Sequence, residues 1–227
     1  MLKALTPIKL AEICGGIWHP AVPDGHASGI QIDSRTLQIG DLFVALKGQR
    51  SDGHDFVAQL ATGQVFAAIV NHAVARAEIP QLVVPDTLIA LQTLAQAFAK
   101  TTTATKLAIT GSVGKTGTKE MLAYLLASAG KTHATSGNYN NHIGMPLTLA
   151  AMPQDTQYLA VEMGMNHAGE IAALTEITLP HIAAITCISD THSEHFSSLS
   201  DIAEAKTEIF IGLSGPAIAI LPRDDSF

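Results

Sequence analysis

Leu107-Ala108-Ile109-Thr110-Gly111-Ser112-Val113-Gly114-Lys115-Thr116 is the stretch of this chain that decides its fold. Its first four residues form a short apolar run typical of a buried strand, and an amphipathic helical pattern follows over 116–129. The Gly-x-x-Gly-Lys-Thr turn between them allows backbone N–H groups to face phosphate oxygens at a helix N-terminus. We therefore expect an ATP-binding P-loop, with Lys115 at the β- and γ-phosphates and the Thr116 hydroxyl on Mg²⁺.

The loop is shorter than the general form of this motif, G-x-x-x-x-G-K-[ST]. The first glycine of that form would fall at position 109, which is Ile109 inside the predicted strand. A chance Gly-rich turn before a helix is the alternative, but the strand, loop and helix in direct succession favour a nucleotide site.

Strands and helices alternate on the C-terminal side of this loop. Continuous apolar runs at 158–162, 181–185 and 216–221 indicate strands, and the patterns at 168–177 and 199–213 indicate helices. Such alternation predicts a mainly parallel sheet with helices on both faces. The expected class is α/β.

The N-terminal part has shorter elements. Helices are predicted at 6–15 and 55–61, and extended segments at 29–33, 41–46, 66–70 and 81–84. We expect a small α/β domain over 1–84 and the incomplete ATP-binding domain over 85–227, with the helix at 86–99 assignable to either side.

Composition narrows the class of protein. A hydrophobic content of 47% with 15% charged residues is typical of a globular chain with a real core. A net charge of −7 and the lack of any Lys/Arg run argue against nucleic acid as a partner. No stretch is long and apolar enough for a membrane span, so the cytoplasm is the default expectation. We also expect a monomer. Cys14 and Cys187 are expected to be structural thiols.

Five motifs in a fixed order resemble the Mur ligase family, and the short P-loop is of that family's kind. They run from about residue 28 to 210 and comprise Asp33-Ser34-Arg35 with 40–48 and 52–54, the P-loop at 111–120, the Asn-rich loop at 137–146, the Glu-Met-Gly segment at 162–171, and Ala205-Lys206-Thr207-Glu208-Ile209. A set of ordered motifs is far more specific than a lone P-loop.

The resemblance implies an ATP-dependent amide ligase of peptidoglycan precursor synthesis. The branch that it resembles adds D-Ala-D-Ala to UDP-N-acetylmuramoyl-tripeptide through an acyl phosphate. Another Mur ligase or a folylpolyglutamate synthase is the nearest enzymatic alternative, and a non-catalytic nucleotide-binding module is the alternative from a different class. Two segments, Asp33-Ser34-Arg35 and Asp52-Gly53-His54, favour a UDP-sugar over a folate.

The resemblance also implies a Mg²⁺ site formed by Thr116, Glu162, His192 and Lys206, the last three being catalytic together with Lys115. The family's matching lysine is carbamylated, which turns a cation into an oxygen donor. The alternatives are a strand-end carboxylate in water for Glu162, a solvated helix face for Lys206, and His195 in place of His192 as the ligand.

Nucleotide and substrate contacts follow from the same resemblance. The nucleotide would be held by Gly111, Ser112, Val113, Gly114, Lys115, Thr116, Asn138 and Asn141, although the two asparagines could simply supply turn conformations. The UDP end of the substrate would meet Ser28, Asp33, Ser34 and Arg35. Arg35 could instead pair with Asp33 or Asp41.

Two departures and the length set limits to this expectation. Thr186-Cys187-Ile188 and Pro222 stand where many relatives have asparagine, which leaves the ligand geometry of that loop open. Family enzymes are about twice as long, so the sequence predicts a fragment that lacks the C-terminal domain and is inactive alone.

Overall fold

The computed structural model describes residues 2–190 and 196–224. It divides the chain into two compact units, 1–97 and 98–227. The division falls inside the helix Thr87–Thr101, which the sequence left assignable to either side. Each unit contains its own five-stranded sheet.

The first unit is a small α/β unit. Its strands are β1 (Ile17–His19), β2 (Gly29–Gln31), β3 (Asp41–Val44), β4 (Val65–Val70) and β5 (Gln81–Val83), and its helices are α1 (Pro7–Cys14), α2 (His54–Val57) and α3 (Thr87–Thr101), with a short 3-10 helix at Leu2–Ala4. The strand order is β1-β5-β4-β3-β2, and all pairs are parallel except β1 with β5.

Local chemistry explains the ends of α1. The Thr6 side chain accepts a hydrogen bond from the Lys9 N–H at 3.2 Å, and Pro7 occupies the first turn, where its missing N–H costs nothing. Gly15 ends the helix in the left-handed conformation at φ 64°. Every residue of β3 is buried, as expected for a parallel strand covered on both faces.

The second unit contains the larger run of alternating elements. Its strands are β6 (Thr105–Thr110), β7 (Thr132–Ala134), β8 (Tyr158–Glu162), β9 (Ile182–Ile185) and β10 (Ile218–Ile220). Its helices are α4 (Lys115–Ala127), α5 (Gly144–Ala151), α6 (Glu170–Thr178) and α7 (Leu199–Thr207), followed by a 3-10 helix at Glu208–Phe210. The order β10-β9-β6-β8-β7 is parallel throughout and places β6 at the centre.

The predicted α/β class with a mainly parallel sheet is confirmed. Two helices differ from prediction: the one expected at 55–61 spans only His54–Val57, and the one expected at 199–213 ends at Thr207. β1, β7 and α5 were not predicted. In the part of the chain that the structure describes, no helix is both apolar and long enough to cross a bilayer.

Candidate functional site

The predicted P-loop connects the central strand β6 to α4, whose first residue is Lys115. Gly111 has φ 148°, and a Cβ added there would lie 1.9 Å from Thr186 Oγ1. Gly114 has φ 86°, again in the left-handed region. Only glycine fits these two backbone positions without strain. The backbone conformation of the loop therefore explains why the motif has glycine at 111 and 114.

The segment that follows β9 fixes the shape of the loop. The Ser112 N–H donates to the Cys187 carbonyl at 2.9 Å, and the Ser112 hydroxyl donates to the Ser189 carbonyl at 2.9 Å. The Thr186 hydroxyl donates to the Val113 carbonyl at 2.6 Å. Thr186, Cys187 and Ser189 are thus part of the scaffold of the P-loop.

Lys115 has its ammonium group folded over the loop. Nζ donates to the Gly111 carbonyl at 2.8 Å and to the Ser112 carbonyl at 3.3 Å. The positive charge therefore stands at the N-terminus of α4, the end of a helix that favours anions.

Glu162 ends β8 and lies beside the first turn of α4. Only 3% of the residue is exposed. Its Oε2 accepts a hydrogen bond from the Thr116 hydroxyl at 2.7 Å, and its Oε1 accepts one from the Asn140 side-chain amide at 2.9 Å. The structure thus brings together the two predicted metal ligands that lie on α4 and β8, and it does not leave Glu162 in water.

Lys206 lies near the end of α7 and is only 2% exposed. Burial above all, and then the positive charge of Lys115, lower the pKa of its ammonium group to about 8. A solvated helix face is therefore not its setting. A neutral amine, which reacts with electrophiles as an ammonium group does not, is accessible here near pH 8.

These side chains line one cavity of about 460 Å³ in the second unit. The cavity is lined by Ser112, Val113, Gly114, Lys115, Thr116, Gly117, Asn140, Asn141, Glu162, Gly164, Met165, Asn166, Glu170 and Lys206. Most of the predicted nucleotide and metal residues therefore meet. Gly111 precedes the lining residues, Asn138 is not among them, and His192 and its alternative His195 lie outside the described residues.

Two asparagines of the Asn-rich loop make different contacts. Asn141 Oδ1 accepts from the N–H groups of Ile143 at 3.1 Å and Gly144 at 2.9 Å, which starts α5. Asn140, which the sequence reasoning missed, holds Glu162, and its carbonyl accepts from the Gly164 N–H at 2.9 Å. The Asn run was a signal for this contact, but the path of the loop decides which asparagine makes it.

A Mg²⁺ ion fits the donors in this cavity. Mg²⁺ binds hard oxygen ligands and commonly uses one or two carboxylates together with phosphate oxygens. Thr116 and Glu162 supply a hydroxyl and a carboxylate that already touch, and Lys206 lines the same cavity. Among the described residues no group of three or more His, Cys, Asp or Glu side chains could hold a metal. The hydroxyl and the carboxylate therefore suit an ion that phosphate oxygens also coordinate.

A second cavity of about 430 Å³ lies in the first unit. It is lined by Ile32, Asp33, Ser34, Arg35, Leu46, Ser51, Gly53 and Phe56. Three of the predicted substrate contacts thus meet here. Ser28 is not among the lining residues, and its hydroxyl donates to the Ile39 carbonyl at 3.1 Å.

Arg35 and Asp33 form an ion pair at this cavity. Arg35 Nε donates to Asp33 Oδ1 at 2.9 Å and its terminal nitrogen donates to Oδ2 at 2.6 Å. These hydrogen bonds hold the pKa of Asp33 at about 2. The Arg35 side chain is 86% exposed, so its outer N–H groups remain accessible to an anion.

Two known sequence families match this chain. Residues 109–227 match the Mur ligase middle domain, and residues 26–99 match the Mur ligase family catalytic domain. The UDP-N-acetylmuramoyl-tripeptide–D-alanyl-D-alanine ligase of Bacillus subtilis is 39% identical over 189 residues, which are 79% of this chain and 40% of the relative. The ligase of that name from Escherichia coli is 40% identical over 179 residues, 79% of this chain and 38% of the relative.

Solved structures give the same relation. A crystal structure of MurF from Acinetobacter baumannii has a TM-score of 0.92 at 39% identity and covers 98% of this chain and 49% of its own. The MurF ligase of Thermotoga maritima in complex with ADP has a TM-score of 0.79 at 32% identity, covering 86% of this chain and 46% of its own. The chain thus spans less than half the length of these relatives. By its matched residues and its fold, the chain belongs to the Mur ligase family.

Proposed function

We propose that this chain supplies the ATP-binding and UDP-substrate-binding parts of a ligase that joins D-Ala-D-Ala to UDP-N-acetylmuramoyl-tripeptide in the cytoplasm. One observation carries the proposal: Lys115, the Thr116–Glu162 contact and buried Lys206 share one cavity. The names of the relatives that match this chain support the choice of substrates.

The reaction requires two anions to meet, since the γ-phosphate of ATP must reach a substrate carboxylate. Positioned cations must therefore lower the barrier. The N–H groups of the P-loop and the N-terminus of α4 bind the phosphates, and Lys115 exchanges its carbonyl contacts for the β- and γ-phosphate oxygens. The carboxylate oxygen attacks the γ-phosphorus and ADP leaves, which gives the acyl phosphate. The amine of D-Ala-D-Ala then attacks the acyl carbon, phosphate leaves, and the nitrogen loses a proton as the amide forms.

Thr116 and Glu162 would hold Mg²⁺, with His192 as a further ligand. The ion supplies neutralisation of the phosphate charge. Lys206 in its neutral form would react with CO₂ to give a carbamate and one released proton, placing a carboxylate-like group in the same cavity. The lowered pKa of Lys206 supports this step, because only the free amine attacks CO₂.

The first unit would bind the UDP end of the substrate. We assign the substrate contact to Asp33, Ser34 and Arg35, which line the cavity, and to Ser28, which is not among its lining residues. Residues 1–84 would be the substrate-binding domain. The outer N–H groups of Arg35 can donate to a diphosphate, and the ion pair with Asp33 fixes the orientation of the guanidinium group.

The first test is calorimetric titration of the chain with UDP-N-acetylmuramoyl-tripeptide. We expect binding by the wild type and a loss of about 10- to 150-fold in affinity for Arg35→Gln, since a hydrogen bond to a charged group contributes about 1.5–3 kcal/mol. Arg76→Gln, which removes an exposed arginine of the same unit outside the cavity, is the control. Binding of a folate in place of the UDP compound would refute the substrate assignment.

A further inference from the structure

Lys119 is a buried lysine to which the proposed reaction gives no role. It lies on α4, one turn after Thr116, and its exposure is 0%. Removing an ammonium group from water is costly unless hydrogen bonds and an opposite charge compensate for it. A buried cation of this kind therefore requires a structural explanation.

The contacts of Lys119 lead away from the P-loop to the end of the edge strand β7. Its Nζ donates to the Thr135 carbonyl at 2.8 Å and to the Glu120 carboxylate. Glu120 keeps its side chain 64% exposed, so it offsets the charge from the solvent side. The contact with the Thr135 carbonyl is the one inside the protein.

Thr135 is in turn bonded to the main chain of Glu162. Its hydroxyl accepts a hydrogen bond from the Glu162 N–H at 3.2 Å, and its own N–H donates to the Ala160 carbonyl at 3.1 Å. Thr135 is itself buried, with 2% exposed. It is therefore held between the ammonium group of Lys119 and the last residues of β8.

These contacts close a ring. From Thr116 on α4 the ring passes through Lys119 on the same helix, then Thr135 after β7, then Glu162 at the end of β8, and returns by the 2.7 Å bond between the Glu162 carboxylate and Thr116. We propose that Lys119 is a positioning residue that sets the Glu162 carboxylate against Thr116 for Mg²⁺. This inference rests on the proposed function, which makes Glu162 a metal ligand.

The position of β7 explains why a cation is needed there. β7 has only three residues and pairs on one side only, with β8. The Thr135 carbonyl just beyond it faces α4, and a long side chain with a strong donor can reach it from the helix. An apolar side chain at 119 would leave that buried carbonyl without its donor and the Thr135 hydroxyl without a fixed position.

The test measures the affinity of the chain for a non-hydrolysable ATP analogue by calorimetry, once with saturating Mg²⁺ and once with EDTA. We define the ratio as the dissociation constant in EDTA divided by the dissociation constant with Mg²⁺. A ratio well above one shows that the metal ion strengthens nucleotide binding. Outer contacts that orient a metal ligand typically change metal affinity by 10–100-fold. We expect Lys119→Met to lower the ratio by about tenfold or more, while the dissociation constant in EDTA changes by less than about twofold.

A second variant tests the other link in the ring. Thr135→Val removes the hydroxyl but keeps the carbonyl that Lys119 contacts, so it should lower the ratio by a similar factor. The double variant should fall little further, because two links in one chain of contacts are not additive. Lys131→Met, which removes an exposed lysine of the same unit, should leave the ratio unchanged.

The outcomes separate this inference from the proposed function. Glu162→Gln must reduce the ratio; if it does not, or if the wild-type ratio is near one, the metal site is wrong and the inference is wrong with it. If Glu162→Gln reduces the ratio but folded Lys119→Met and Thr135→Val do not, the positioning role is refuted alone. Equal weakening with and without Mg²⁺ would also refute it. If Lys119→Met fails to fold, the Thr135→Val result decides.

Discussion

The two thiols of this chain differ in setting and should differ in reactivity. Cys14 is buried on α1, and burial raises its pKa to about 12. Cys187 is partly exposed, with Sγ 3.5 Å from the Val113 carbonyl of the P-loop. The thiolate is the reactive form, so Cys14 should stay inert to an aromatic disulfide reagent at pH 8 while Cys187 reacts.

Peptide mass spectrometry of the labelled native chain checks this, with Cys187→Ala as the control. The ATP analogue should slow the labelling of Cys187, because the bound phosphates would occupy the neighbouring loop. Unfolding in denaturant should make Cys14 react as well. Labelling of native Cys14 at the rate of Cys187 would contradict the burial that the structure shows.

The identities of most candidate site residues were accessible from the sequence, but their environments were not. Three of the sequence motifs pointed to Lys115, Thr116, Glu162 and Lys206, and these four residues line one cavity. The helical pattern alone would have put Lys206 in solvent, and it is the packing of α7 that buries it. Asn140 could not be separated from Asn138 and Asn141, because three neighbouring asparagines carry the same local chemistry.

At the level of elements, the carboxylate of Glu208 connects the end of α7 to the start of α6. It accepts from the N–H groups of Gly169 at 2.6 Å and Ala172 at 3.1 Å. These are donors that a helix N-terminus leaves unpaired, and a carboxylate there is favourable to the helix dipole. Glu208→Ala should lower the free energy of unfolding by about 1–3 kcal/mol.

Urea denaturation followed by circular dichroism measures this loss. Glu208→Gln should retain part of the stability, since an amide oxygen can still accept one of the bonds. Glu204→Ala removes an exposed carboxylate from α7 and should change stability by about 0.5 kcal/mol or less. Equal losses at positions 204 and 208 would show that the contact with α6 contributes nothing specific.

The elements that the sequence missed share physical reasons. From Gly144 to Ala150, every residue of α5 is buried, so no alternation of polar and apolar residues exposes its helical period. β7 has three residues, too few for a pattern. The helix predicted at 199–213 ends at Thr207, and a 3-10 helix begins at Glu208. From there the Glu208 side chain contacts the start of α6.

For the molecule as a whole, alternation in the sequence predicted a parallel sheet but not its strand order. The order β10-β9-β6-β8-β7 depends on pairings between residues far apart in the chain, such as Leu107 with Ala160 and with Ile182. It places the P-loop at the carboxyl end of the central strand, between the ends of β8 and β9, where ligands of open α/β sheets gather. Local propensity carries no such information.

The two cavities lie in different units, so two ligands should protect different parts of the chain from hydrogen exchange. The ATP analogue with Mg²⁺ should slow exchange in peptides covering 111–117, 140–144 and 162–170, because these segments line the cavity of the second unit. UDP-N-acetylmuramoyl-tripeptide should instead slow exchange over 32–35 and 46–56, which include the lining of the cavity in the first unit.

A ligand at 100 times its dissociation constant stabilises the form that binds it by about 2.7 kcal/mol, enough to slow exchange about a hundredfold where opening exposes the site. Arg35→Gln should remove the protection by the UDP compound and keep that by the nucleotide, and Glu162→Gln should do the reverse for the Mg²⁺-dependent part. Protection of 111–117 by the UDP compound in the absence of nucleotide would contradict the assignment of the two cavities to two ligands.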